Sequence, residues 1–151
     1  MKRFTEAQLA QIMTKQGHAV DFKVPKKRAK RSNEESQMQQ ALIRWWSWAC
    51  KDLKIPEQLL MSIPNGGKRD AITGSILKRE GARAGAPDLV LFIQRDIHGA
   101  MLIELKKEDG FLSPAQVDMQ ETLRRYGFRV FTAFSLESAK TEIISYISLP
   151  K

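Results

Sequence analysis

One cysteine, two histidines and no apolar run of membrane-spanning length set the first limits on this 151-residue chain. A lone Cys50 excludes a disulfide framework within the chain and a cysteine-rich zinc site. Its setting, an apolar stretch beside Trp45, Trp46 and Trp48, reads as core packing. The tryptophans cannot all point inward on one helix, so one is left to stack on an unpaired base or, the favoured reading, to pack against a second subunit. His18 and His98 stand alone and read as surface or turn residues rather than ligands. The start MKRFTEAQLAQIM lacks a signal-peptide core, and the expectation is a protein of a reducing cytoplasm, without a membrane partner.

Charge is plentiful but uneven. Residues 1–31 carry nine Lys or Arg against Glu6 and Asp21, whereas residues 32–151 carry 16 basic and 15 acidic side chains. The body is nearly neutral and the positive field sits at the N-terminal end. Lys26, Lys27, Arg28, Lys30 and Arg31 therefore read as contacts to a polyanion, since neutralised phosphates release their counterions. A solvated arm that aids solubility is the alternative. The division expected is a basic arm over 1–31, with a short helix over 4–16, and one domain over 32–151.

Ser32 followed by Glu35 has capping-box spacing, and Met38, Leu42, Ile43, Trp45 and Trp46 give an apolar face to a helix running to about Ala49. Residues 51–83 show little periodicity and read as a long loop with a turn at Pro64-Asn65-Gly66-Gly67. Two strands, 88–93 and 100–106, are joined by a polar turn. Ser113-Pro114-Ala115-Gln116 starts a helix to Tyr126, closed by Gly127. A strand over 128–134 and a helix from Ser135 to Tyr146 complete the chain. The order β-β-α-β-α predicts an α/β fold, a small mixed sheet flanked by helices, with strands 100–106 and 128–134 parallel.

Within the hairpin, Glu104 and Lys106 lie two apart and so share a face, on a strand that is otherwise apolar. Asp88 starts the neighbouring strand and approaches Glu104 if the register is regular. Two carboxylates held together repel, and a divalent cation removes that cost; Mg²⁺ favours oxygen ligands while keeping waters and substrate phosphate. Lys106 is suited to orient a water or stabilise developing charge. The alternative is a solvated edge hairpin whose charges only keep it soluble.

Pro87-Asp88, then Glu104-Leu105-Lys106, resembles the PD-(D/E)xK nuclease signature, and the wider context resembles its VRR-NUC branch. Glu35 and Gln39 fit the early helix of that pattern, Asn65-Gly66 its loop, and Gly81 and Gly85 the glycine-rich approach to Pro87-Asp88. The run from Gly110 through Phe111, Leu112, Ser113, Pro114 and Ala115 to Gln116 fits the turn into its next helix, and Gly127–Phe134 the strand beyond. The likeness spans roughly residues 33–147.

That resemblance implies a restriction-endonuclease-like core with Asp88 and Glu104 as ligands to Mg²⁺ or Mn²⁺, the Leu105 carbonyl as a third, and Lys106 as the catalytic lysine. It implies that Glu35 contacts metal or its water, which competes with a capping role. Gln116 is ambiguous in the same way, between an N3 cap and a place beside the active site. Gln39 is assigned to substrate positioning or to an exposed surface. Lys68, Arg69, Lys78, Arg79 and Arg83 surround the glycines before Asp88 and would draw a phosphate backbone toward the metal without reading sequence; a solvated loop is the alternative. Arg124, Arg125 and Arg129 are weaker signals, because a helix end favours cations anyway.

The expectation is thus a metal-dependent DNA endonuclease selective for branched or flap DNA, working in a bacterial cell or phage-infected host. The compact relatives imply pairing as a homodimer, so that two sites act on opposite strands. A sequence-specific restriction-type enzyme and a non-catalytic DNA-binding module on the same fold are the competing readings.

Overall fold

Among the described residues, four short strands and three α-helices carry the sequence pattern into three dimensions. The computed structural model describes residues 33–64 and 76–151. The Ser32 cap, the arm with Lys26, Lys27, Arg28, Lys30 and Arg31, and the loop with Asn65, Gly66, Lys68 and Arg69 lie outside the described residues.

Helix α1 spans Asn33–Asp52, three residues past the expected end, and buries Leu42, Trp46 and Cys50. Those positions recur every fourth residue and so form one face. Trp46 is 1 % exposed and its indole N–H donates to the Glu57 carbonyl at 2.8 Å, whereas Trp48 is 73 % exposed.

The stretch after α1 departs from the loop reading. A 3-10 turn at Glu57–Leu59 leads into β1, Leu60–Ser62, which pairs antiparallel with β2, Leu89–Leu91, in the register Leu60↔Leu91. Only Leu60 of its three residues is buried, so no alternation exists to be read from sequence. A further helical turn at 76–79 is closed by the Glu80 N–H donating to the Ile76 carbonyl at 2.9 Å.

Strand β3, Met101–Leu105, runs antiparallel to β2, and Arg95 and His98 exchange backbone hydrogen bonds across the turn between them. Helix α2, Pro114–Arg125, then carries the chain to β4, Arg129–Ala133, which lies parallel to β3. The sheet order β1-β2-β3-β4 makes β3 an interior strand and rules out the solvated edge hairpin. Helix α3, Leu136–Ile147, closes the fold.

The two-residue strand period sorts the core into two layers. Leu89, Leu91, Met101, Ile103 and Leu105 pack with Leu42 and Trp46 of α1 and Ile143 and Tyr146 of α3. Val90, Leu102 and Val130 turn the other way, toward Leu123 of α2 and Phe128. This is the mixed α/β sheet flanked by helices of a restriction-endonuclease-like core. Among the described residues no helix is long and apolar enough to cross a membrane.

Candidate active site

The register Leu89↔Ile103 sets Asp88, one step earlier, opposite Glu104. The Asp88 N–H donates to the Ile103 carbonyl at 3.1 Å, and its Oδ2 accepts from the Leu105 N–H at 2.9 Å, which fixes the carboxylate against β3. Glu104 is 2 % exposed on the face that α2 covers. Lys106 shares that face as its spacing predicts: its ammonium donates to Glu104 Oε1 at 2.5 Å and lies 3.5 Å from the Leu105 carbonyl oxygen. The Lys106 N–H donates to the Ala133 carbonyl at 2.9 Å, which extends the β3–β4 ladder and aims the side chain.

Gln116 caps its helix and also reaches Glu104. Ser113 Oγ accepts from the Gln116 N–H at 3.3 Å and Gln116 Oε1 accepts from the Ser113 N–H at 2.8 Å, a complete capping box. The other end of the same amide, Nε2, donates to Glu104 Oε1. One side chain therefore both starts α2 and docks its N-terminus on the buried carboxylate.

Gly85 brings that helix close. Its φ is +83°, and a Cβ there would lie 2.0 Å from the Ala115 carbonyl oxygen and 2.8 Å from the Gln116 nitrogen. Only a residue without a side chain lets the segment before Asp88 lie against the first turn of α2.

Glu35 and Gln39 are half-buried and continue the Leu42–Trp46–Cys50 face of α1 back toward its N-terminus, so both turn to the sheet side. The charge of Glu35 is felt at Glu104. Lys78, Arg79 and Arg83 are exposed on the approach to Gly85. His98 lies in the β2–β3 turn, at the far end of β3 from Glu104, its ring beside Tyr146. Arg129 is paired with Glu142 at 2.6 Å.

Burial pushes the Glu104 carboxyl up to about 7, and the Asp88 charge adds to the rise; the Lys106 hydrogen bond and charge oppose it, and Glu35 raises it further. The site thus holds more negative charge than its surroundings favour, a condition that a cation relieves. Among the described residues no three His, Cys, Asp or Glu side chains are gathered tightly enough to hold a metal by themselves. Two carboxylates and a backbone carbonyl remain, and an all-oxygen set of that size suits a hard divalent ion that keeps several waters.

Sequence reasoning overlooked a second polar contact between α2 and the sheet. Gln120 is 2 % exposed; its Nε2 donates to Thr132 Oγ1 at 3.0 Å, and its Oε1 accepts from Arg124 at 3.0 Å. Arg124 also reaches the Val130 carbonyl at 3.3 Å. Thr132 is the parallel neighbour of Glu104, so Gln116, Gln120 and Arg124 form one polar seam along α2. Their spacing of four was the available signal, since it places three polar residues on one helical face.

An α/β sheet with an acidic pair and a lysine at this register defines the class to which the comparisons then give a family. The VRR-NUC domain model matches residues 27–135, and the chain belongs to that family, within the PD-(D/E)xK nuclease superfamily. The match begins inside the basic segment and stops at Ser135, before α3. A solved structure described as a VRR_NUC domain protein is similar at 25 % identity and a TM-score of 0.67, over 78 % of this chain and 90 % of that one. No curated protein matches.

Proposed function

We propose that this protein is a divalent-metal-dependent DNA endonuclease, selective for branched or flap DNA and acting in replication, recombination or repair. The observation that carries this reading is the buried Glu104 carboxyl, raised to about 7 beside Asp88, with Lys106 and Gln116 both donating to its Oε1. Asp88, Glu104 and the Leu105 carbonyl would hold Mg²⁺ or Mn²⁺, with Glu35 at the margin. A bound divalent ion supplies charge neutralisation at a phosphate and lowers the pKa of an attacking water.

The chain's own groups do the rest. The Leu105 N–H holds Asp88 in orientation, and Gln116 holds Glu104. Lys106 would orient the water or offset charge developing on the phosphate. Lys78, Arg79 and Arg83, with Lys68 and Arg69 beside them in sequence, would position the backbone; Lys26, Lys27, Arg28, Lys30 and Arg31 would add long-range attraction. Gln39, on the same face of α1 as Glu35, would help to place the strand. A homodimer would set two such sites on opposite strands of a junction.

The test is cleavage of labelled four-way junctions, 5′ and 3′ flaps, single strands and linear duplex in Mg²⁺, Mn²⁺ or EDTA. Metal-dependent cutting of branched substrates ahead of linear duplex is the expected result. No cutting in either metal, with junction binding intact, would replace this reading with a non-catalytic binding module.

A further inference from the structure

Helix α2 meets the sheet through two polar rungs, and only the first belongs to the candidate site. Gln116 reaches Glu104 on β3. Gln120, one turn further on, reaches Thr132 on β4, the residue paired with Glu104 across the parallel ladder. Four helical residues advance roughly 6 Å, and adjacent strands lie about 4.8 Å apart. One turn of α2 therefore spans one step of the sheet, and the two rungs land on neighbouring strands. We propose that Gln120 is a positioning residue for Glu104: by holding α2 on Thr132, it fixes where Gln116 sets its amide against the carboxylate.

The second rung is built to hold one arrangement. Gln120 is 2 % exposed and both ends of its amide are engaged, Nε2 with Thr132 Oγ1 at 3.0 Å and Oε1 with the Arg124 guanidinium at 3.0 Å. A guanidinium only donates, so Arg124 takes the amide oxygen and leaves the amide nitrogen for Thr132. Arg124 is itself tied to β4 through the Val130 carbonyl at 3.3 Å. Helix and strand are thus joined at two points, two residues apart along β4.

The other contacts of α2 constrain it less. Val117 is buried and Leu123 packs against Val90, Leu102 and Val130, but apolar packing is non-directional and tolerates a small roll of the helix. The bond from Gln116 to Glu104 does not, because a donor–acceptor distance beyond about 3.2 Å leaves the hydrogen-bonding range. The capping box supplies no anchor to the sheet, since Ser113 sits at the start of the same helix and moves with it. Gly85 lets the first turn come close on one side and leaves its roll open. A purely cohesive role for Gln120 fits less well: an apolar side chain would pack there without an amide to desolvate and satisfy.

The inference rests on the nuclease reading for what Glu104 is used for, and the experiment separates the two. The Gln116 side-chain amide gives its own signals in a proton–nitrogen correlation spectrum of the isotope-labelled full chain, identified by their loss in Gln116→Leu. Spectra are recorded in EDTA without DNA for wild type, Gln120→Leu, Thr132→Val, Thr132→Ser and Ile143→Val. Ile143, in the opposite core layer, is the control for a general loss of stability. The Gln116 signals should move, and their hydrogen exchange quicken, in Gln120→Leu and Thr132→Val. They should stay near the wild-type position in Thr132→Ser, which keeps the hydroxyl, and in Ile143→Val. Cleavage at saturating DNA should slow about tenfold or more in Gln120→Leu and Thr132→Val, with KM little changed, and recover in Thr132→Ser. Unmoved Gln116 signals in a folded Thr132→Val would overturn the inference, as would an equal movement in Ile143→Val or wild-type cleavage by Thr132→Val. If the wild type cleaves nothing while the signals respond as expected, the nuclease reading fails and the positioning of Glu104 by Gln120 stands.

Discussion

The ammonium of Lys106 lies 2.5 Å from Glu104 Oε1 and 3.5 Å from the Leu105 carbonyl oxygen, so it bridges two of the oxygens proposed as metal ligands. Removing it leaves a buried carboxylate that must either stay charged without its partner or take up a proton. Lys106→Met should therefore push the Glu104 carboxyl further up, and cost more stability near pH 8, up to about 3 kcal/mol, than near pH 6, because holding the proton costs more as pH rises. Denaturant melts of wild type and variant at the two pH values check this.

The raised Glu104 carboxyl also sets the pH dependence of the wild type. Between the ordinary value of 4.5 and about 7 the folded chain keeps a proton that the unfolded chain has released. Stability from this group is therefore present at low pH, falls as pH rises through that window, and levels off above it. Denaturation midpoints at constant ionic strength should show the fall, Glu104→Gln should abolish it, and added Mg²⁺ or Mn²⁺ should reverse it near neutral pH.

Gln116 links helix capping to the site, and two substitutions separate these roles. Gln116→Leu removes both the acceptor for the Ser113 N–H and the donor to Glu104, at a cost of about 1 kcal/mol. Gln116→Glu keeps the cap but sets another carboxylate against Glu104 Oε1. Thermal melts should show the Glu variant no more stable than the Leu variant above neutral pH and recovering as pH falls and the carboxyl pair takes up a proton, while cleavage assays should show both variants impaired.

Gly85→Ala should destabilise by about 2 kcal/mol or more, because the new Cβ meets the Ala115 carbonyl as well as an unfavourable φ. Gly81→Ala is the control: its φ is +102° but nothing lies within 4 Å of the added carbon, so about 1 kcal/mol is expected. Melting the two variants side by side distinguishes close approach from backbone strain.

Much of this organisation is legible in the sequence where local rules act. Ser113, Pro114 and Gln116 announce a helix start through adjacent hydrogen bonds, and the structure begins α2 there. The two-residue spacing of Glu104 and Lys106 places them on one face, and the single helix between β3 and β4 makes those strands parallel. Strand β1 was not legible, because three residues supported by one long-range pairing leave no periodic trace. The Gln120–Thr132 bond was hidden for a related reason: it depends on how α2 lies across β4, which spacing along one element does not specify. The double duty of Gln116 is a third case, since a capping signal carries no information about what the far end of the amide touches.

The most direct test of the central claim is nicking of covalently closed circular DNA carrying an extruded junction, by wild type and Glu104→Gln, in Mg²⁺ and in EDTA. Nicking by the wild type in Mg²⁺ alone, reduced about a hundredfold or more in the variant while junction binding persists, is the result predicted. Equal nicking by the two proteins, or nicking that survives EDTA, would contradict the assignment of Glu104 to a metal-dependent active site.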